Sequence, residues 1–358
     1  MTMKHGLIDQ GDKFRKRVAS QDTSTYKVVK RGQLVVGFPI DEGVLAIQDK
    51  YDEAIVSPAY EIWDVSDPER IDRGYLERFL RSPKALAYYS AKLQGTTARR
   101  RSLPKDVFLA LSVPVLDVPR QRQAVRALDQ ADALRARRSA AISLLDELSR
   151  SVFLETFGDL KRNPKGWETV QLGEVVRFHA GASLPEGVAY TGQQGGYLLL
   201  KVSDMNLPGN EHEISTSRSW STGPGGKSAT CPAGTIVIPK RGGAISTNKK
   251  RITVRPAILD PNLMGIVPDA AALNLTYLRQ WFSFFDLSAL VSGSSVPQLN
   301  KQDLAPLVIQ VPPLDLQLEY VQKIREISRV TAVHRKQAAI LDELFFSIRQ
   351  RAFTERSA

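Results

Sequence analysis

The chain has 358 residues, 42% hydrophobic and 24% charged, ordinary values for about two globular domains. Lys and Arg outnumber Asp and Glu by 49 to 38, a formal charge of +11 with a pI near 9.7, which favours a polyanionic partner such as nucleic acid. The lone Cys231 excludes an intrachain disulfide, and His5, His179, His212 and His334 are too scattered for a local zinc motif.

Along the chain, residues 1–10 carry no apolar signal core, and no run of about 18 apolar residues occurs anywhere, so a cytoplasmic protein with no membrane contact is expected. Short strand-like runs broken by Gly and Pro follow at 33–38 and 54–56, then a short helix at 74–80. Asp117 and Pro119 suit a helix start and Gly158 its stop, which predicts one long helix over 117–158. Asn163-Pro164-Lys165-Gly166 reads as the end of a linker over 159–166. Strand-like runs resume at 197–202 and 235–238, a helix is expected at 275–285, and a second long helix at 314–356.

The second half repeats landmarks of the first. Leu145-Asp146-Glu147-Leu148 recurs as Leu341-Asp342-Glu343-Leu344, 196 positions on, and at that shift Val125 falls on Val321, Leu128 on Ile324 and Phe157 on Phe353. At a shift of 198, Val113-Pro114-Val115-Leu116-Asp117 matches Val311-Pro312-Pro313-Leu314-Asp315, and Gly95-Thr96-Thr97 matches Gly293-Ser294-Ser295. The second long helix carries a heptad seam: Tyr320, Ile324, Ile327, Thr331, His334, Ala338, Leu341, Phe345, Ile348 and Ala352. The first carries its counterpart: Ala124, Leu128, Ala131, Arg135, Arg138, Ile142, Leu145, Ser149, Val152 and Thr156. Both seams are apolar toward their ends and polar in the middle. An antiparallel pair matches polar centre with polar centre, so the helices are expected to pack head to tail; the alternative is two separate amphipathic helices, each lying on its own domain. The fold class is α+β: two globular α/β domains separated by two long helices that pack as an antiparallel coiled coil.

At this point the chain resembles the specificity subunits of type I restriction-modification systems. Residues 161–173 (KRNPKGWETVQLG) look like the opening of a target-recognition domain, and 293–315 (GSSVPQLNKQDLAPLVIQVPPLD) like its exit into a spacer helix. Residues 24–32 (STYKVVKRG) and 56–60 (VSPAY) resemble another version of that domain. The resemblance implies recognition domains at 1–116 and 167–313, spacer helices at 117–158 and 314–356, and a non-catalytic reader of a bipartite, asymmetric site in double-stranded DNA. It further implies two modification (methyltransferase) subunits as partners, holding the S-adenosylmethionine, and separate restriction/motor subunits that cleave. No catalytic residue, metal or cofactor is expected in this chain. One departure stands out: the first copy lacks about thirty residues found at the start of the second, so it is either a shorter version or lacks its own beginning. A helix of about 35 residues spans roughly 50 Å, about one and a half turns of B-DNA, a length suited to a ruler.

Three enzyme-like motifs fail on context. Residues 221–228 (STGPGGKS) resemble a phosphate-binding loop, but Cys231-Pro232-Ala233-Gly234 leaves no room for the helix that must follow. Ser57-Pro58-Ala59-Tyr60 is near the adenine-holding loop of amino-methyltransferases, yet no glycine-rich cofactor turn accompanies it; a turn closing a strand is expected. Pro268-Asp269 is not followed by the acidic and lysine pair of a metal-dependent nuclease. The candidates for DNA contact are therefore basic clusters. Lys240-Arg241-Gly242-Gly243 follows a strand, with glycines that let backbone amides approach phosphate, and Lys249-Lys250-Arg251 lies just beyond. In the first domain they are Lys27, Lys30, Arg31, Lys92, Arg99, Arg100 and Arg101; Ser294, Ser295 and Gln298 are placed to reach bases. Arginine suits guanine and lysine suits phosphate. The rival readings are a stand-alone enzyme, disfavoured by the missing motifs, and a truncated or non-catalytic protein-binding adaptor with only non-specific DNA affinity.

Overall fold

The computed structural model describes residues 1, 6–9, 22–93, 103–291 and 297–354. Contacts divide the chain into two units, residues 1–141 with 334–358 and residues 142–333, so that each long helix contributes one stretch to each unit.

In the first unit, β1 (Lys27–Lys30) pairs antiparallel with β4 (Glu53–Val56), while β2 (Leu34–Val36) lies between β3 (Leu45–Ile47) and β5 (Glu61–Trp63). Every residue of β2 and β3 is buried, as expected of short apolar runs covered on both faces. Asp72 starts helix α1 (Arg73–Leu80) by accepting from the Tyr75 amide, and Ser82 does the same for α2 (Pro83–Lys92), whose first residue is proline. A short α3 (Lys105–Leu109) precedes the long α4 (Val118–Phe157), and the last helix is α8 (Leu314–Thr354). Asp117 caps α4 through the Arg120 amide at 2.8 Å, and Gly158 ends it at φ +87°, a conformation glycine adopts without strain. The core joins Leu34 and Leu45 to Tyr75 and Phe79, Leu128 of α4 and Phe353 of α8.

The second unit is richer in sheet. One five-stranded sheet runs β10 (Glu213–Ile214), β14 (Arg251–Thr253), β13 (Ile236–Pro239), β16 (Leu263–Pro268), β7 (Val176–His179). The other runs β12 (Thr230–Cys231), β15 (Ala257–Leu259), β9 (Tyr197–Leu200), β11 (Ser219–Ser221), β8 (Val188–Ala189). A two-stranded ribbon pairs β6 (Thr169–Gln171) with β17 (Val308–Gln310). Among the described residues the stretch matching β17 in the first unit, 110–112, is not in a strand. Helices α5 (Leu172–Val175), α6 (Leu275–Phe282) and α7 (Lys301–Leu304) complete the unit, and its core centres on Tyr277, Trp281 and Phe282 of α6.

The same joint ties head to helix in both units. Gln121, fully buried, donates to the carbonyls of Arg70 (2.9 Å) and Leu116 (2.6 Å) and accepts from the Asp72 amide at 2.7 Å. Gln317, 196 positions on and equally buried, donates to Ala272 (2.9 Å) and Pro312 (2.8 Å) and accepts from Asn274 at 2.7 Å. Tyr75 and Tyr277 complete the match: their hydroxyls donate to the Pro114 and Gln310 carbonyls, both at 2.9 Å.

The long helices form the antiparallel coiled coil. In the first unit Arg135 meets Asp342 at 2.5 Å and Arg138 meets His334 at 2.8 Å, so the partner's number falls as the helix advances. Leu128 and Ala131 are buried there, and Arg135, Arg138, His334, Ala338, Leu341, Phe345 and Ile348 are partly buried. In the second unit Ile324 and Thr331 are buried, and Ile142, Leu145, Val152 and Ile327 are partly so. At the end of α4 the deepest residues are Phe153 and Phe157, beside the seam positions Val152 and Thr156. Their rings pack on Tyr277 and Tyr320 at 4.8–5.6 Å, because the last turns of the helix enter the head's core.

Candidate nucleic-acid interface

In the second unit the basic candidates lie between the end of β13 and the start of β14, and successive side chains just past the strand point to opposite faces. Lys240 is only 9% exposed; its ammonium donates to the Ala180 carbonyl, and burial together with neighbouring Arg241 pushes its pKa down. Arg241 is exposed and forms a backbone bridge with Gln298. Gly242 (φ +64°) spends its amide on the Pro297 carbonyl at 2.8 Å, while the space before Gly242 and Gly243 is open. The Lys249 ammonium sits on the side-chain oxygen of Asn206. Lys250 donates to the Asn248 side chain at 2.6 Å and the Phe285 carbonyl at 2.9 Å, and burial pushes it down to about 8. Arg251 is half-buried on β14, lowered by burial, with Nε lacking a hydrogen-bond partner. All three lysine heads are thus engaged within the protein, and Arg241 is the cation of this group that faces outward.

In the first unit Lys27 donates to the Tyr60 carbonyl at 2.7 Å and Arg31 pairs with Asp52 at 3.0 Å while reaching the Asp49 and Lys50 carbonyls. Lys30 and Lys92 are exposed. Arg99, Arg100, Arg101, Ser294 and Ser295 lie outside the described residues. Residues 57–60 form the expected turn after β4, with the Tyr60 amide on the Ser57 carbonyl at 3.0 Å. Residues 222–229 run from β11 to β12 without a helix.

A further cluster was not among these candidates. Between β8 and β9 the loop of residues 190–196 crosses β11, and Trp220 and Arg255 both donate to the Gly195 carbonyl, at 3.1 and 2.6 Å. Arg255 also donates to the Tyr190 hydroxyl, with its guanidinium 5.4 Å from that ring's centre. The signal was the run Gly192-Gln193-Gln194-Gly195-Gly196 between two strand-like stretches, a turn composition with polar side chains at its tip. Among the described residues no cluster of His, Cys, Asp and Glu is arranged to hold a metal ion, and no described helix is long and apolar enough to cross a membrane.

The fold has known relatives. A chain of a type I R-M system, solved to describe its complex assembly and conformational transition, superposes with a TM-score of 0.52 at 19% identity, over 93% of this chain and 84% of that one. The type I restriction-modification S subunit from M. genitalium superposes with a TM-score of 0.54 at 14% identity, over 92% and 84%. No curated protein sequence matches the chain. Residues 164–342, half of the chain, match the family model described as the type I restriction modification DNA specificity domain. With two heads on an antiparallel helix pair, and with that match, the chain belongs to the family of type I restriction-modification DNA specificity proteins.

Proposed function

We propose that this chain is the DNA-reading scaffold of a cytoplasmic type I restriction-modification complex, recognising a split, asymmetric site and performing no bond chemistry itself. The carrying observation is that two heads unlike in their described residues, one with short two- and three-stranded sheets and one with two five-stranded sheets, are mounted through the same glutamine joint. Equal mounts with unequal heads suit a reader of two different half-sites. Cations such as Arg241, Lys30 and Lys92 contribute the phosphate contacts that position a protein on duplex. Binding of the full chain to a cognate duplex is expected to weaken steeply with salt and to need both half-sites; affinity that ignores salt would overturn this reading.

Scaffolding is supported by apolar side chains that the helix pair leaves uncovered. Leu134, Ile340 and Leu344 are exposed in the first unit; Val330, Leu144 and Leu148, their counterparts 196 positions away, are exposed in the second. The Arg135–Asp342 contact sets Leu134 level with Ile340 and Leu344 along the pair. One such triad per unit suits two copies of one partner, here the methyltransferase subunits that bring S-adenosylmethionine, with restriction and motor subunits joining them. Leu344→Glu and Leu148→Glu are each expected to remove one methyltransferase copy, read as the mass of the purified complex; a complex unchanged by both would sink this part. The engaged heads of Lys240 and Lys250 favour the second reading, an adaptor with only non-specific DNA affinity, and equal binding to all duplex sequences would establish it.

A further inference from the structure

We infer that the loop between β8 and β9 is the base-reading element of the second head, with Gln194 as the residue that recognises adenine. The inference rests on the DNA-reading function proposed above and assigns part of it to particular atoms.

Three properties set this loop apart from the basic clusters. First, it is held rigidly. Its Gly195 carbonyl receives both Trp220 and Arg255, and Arg255 is stacked on Tyr190 at the loop's start. Gln193 folds back, donating to the Ala189 carbonyl at 2.9 Å and accepting from the Thr191 amide at 2.8 Å. At Gly196 (φ +58°) a β-carbon would fall 2.6 Å from the Trp220 indole, so the chain lies directly on that ring. A loop fixed in this way loses little freedom when it binds.

Second, its outer side is clear. Gly192 (φ +101°) and Gly195 (φ +69°) adopt conformations that favour glycine, yet nothing lies within 4 Å of where a side chain would stand. Their glycines therefore serve the loop's shape, and the bare backbone allows a bulky partner to come close.

Third, the tip offers unused hydrogen-bonding groups. Gln194 is exposed and has no hydrogen-bond partner among the described residues, whereas its neighbour Gln193 is fully employed. A free carboxamide carries a donor and an acceptor side by side, the pattern that pairs with N6 and N7 of adenine in the major groove. Exposed Arg218, whose carbonyl accepts from the Tyr190 amide at 3.2 Å, puts a positive charge beside the loop for the adjoining phosphates. Arg255 is a positioning residue, because its guanidinium is already spent on Tyr190 and Gly195.

The test is selection of duplexes from a randomised library by the full-length chain, followed by sequencing of the bound fraction. The unaltered chain is expected to select a motif containing an adenine that Gln194→Ala no longer selects, its contrast falling by about 5- to 150-fold at that base pair alone. Gln194→Arg should move the preference at the same position toward guanine. If the motif selected by Gln194→Ala is unchanged, or is weakened equally at every position, the inference is overturned while the DNA-reading function stands. If the unaltered chain selects no motif, the function itself fails and the inference goes with it. Both variants should melt at the temperature of the unaltered chain, since Gln194 is exposed and makes no hydrogen bond among the described residues.

Discussion

Gln121 and Gln317 make the same three kinds of hydrogen bond in their two units, whereas among the described residues the sheets beside them share neither strand number nor order. The contrast has a physical basis. A buried carboxamide must find every partner at hydrogen-bond distance, so its surroundings are fixed to within a fraction of an ångström. A sheet face needs only apolar side chains of suitable volume, and many strand arrangements supply them. The attachment is thus rigidly specified while the head is free to differ, the division a modular reader of sequence requires.

Substitutions in the two cores should break this equivalence most strongly. Phe157→Ala and Phe353→Ala each empty a buried site and should cost about 3–5 kcal/mol. The larger loss is expected at Phe157, which packs against Phe153, Tyr277 and Tyr320, whereas Phe353 meets Tyr75 and Phe79. Denaturant titration gives the sizes, and amide exchange should place each loss in its own unit; loss of protection spread evenly over both would contradict the division.

The joints themselves should behave alike. Gln121→Leu and Gln317→Leu each strand a buried amide and two carbonyls, at about 2–4 kcal/mol. Values that differ by more than about 1 kcal/mol in the same titration would show that the two joints are not energetic equals.

A smaller difference separates two lysines. In the first unit, the hydrogen bond that Lys50 donates to Asp9 raises the lysine's pKa; in the second, burial lowers Lys250 to about 8. An unfolded chain keeps the Lys250 proton up to about pH 10.4. Between pH 8 and that point the unfolded state binds more protons, so this lysine makes stability rise with pH, by about 1 kcal/mol after solvent screening. Lys250→Met should remove that rise, read as the difference in melting temperature between the two proteins from pH 7.5 to 10. An identical pH slope in both would refute the assignment.

Much of the architecture was legible because it is written in periodicity. The heptads place Leu128, Ala131, Ile324 and Thr331 in the interior, and Asp117 and Gly158 mark the limits of α4. The joints were less visible: a lone glutamine in a basic helix start, as in Pro119-Arg120-Gln121, gives no sign that it will be fully buried. At the end of α4 the seam positions Val152 and Thr156 are partly buried while Phe153 and Phe157 beside them are fully buried, because a heptad describes helix against helix and these two rings answer to a head core. The interface was least legible. Composition marks Lys240 and Lys250 as cations, but only the fold reveals that the carbonyls of Ala180 and Phe285 hold them. Conversely, Gln194 carries no charge, so composition does not mark it, and only the bracing of its loop in the fold sets it apart.

The contact between Arg138 and His334 has a consequence for self-association. The two residues are 196 apart, so each stands opposite its own counterpart in the repeat. A guanidinium has only donors, so the imidazole nitrogen facing it must accept, which makes the pair complementary because it is unlike. Two copies of α4 in the same register would set arginine against arginine. The polar centre therefore discriminates against twins, and a peptide of residues 118–157 alone should sediment as a monomer.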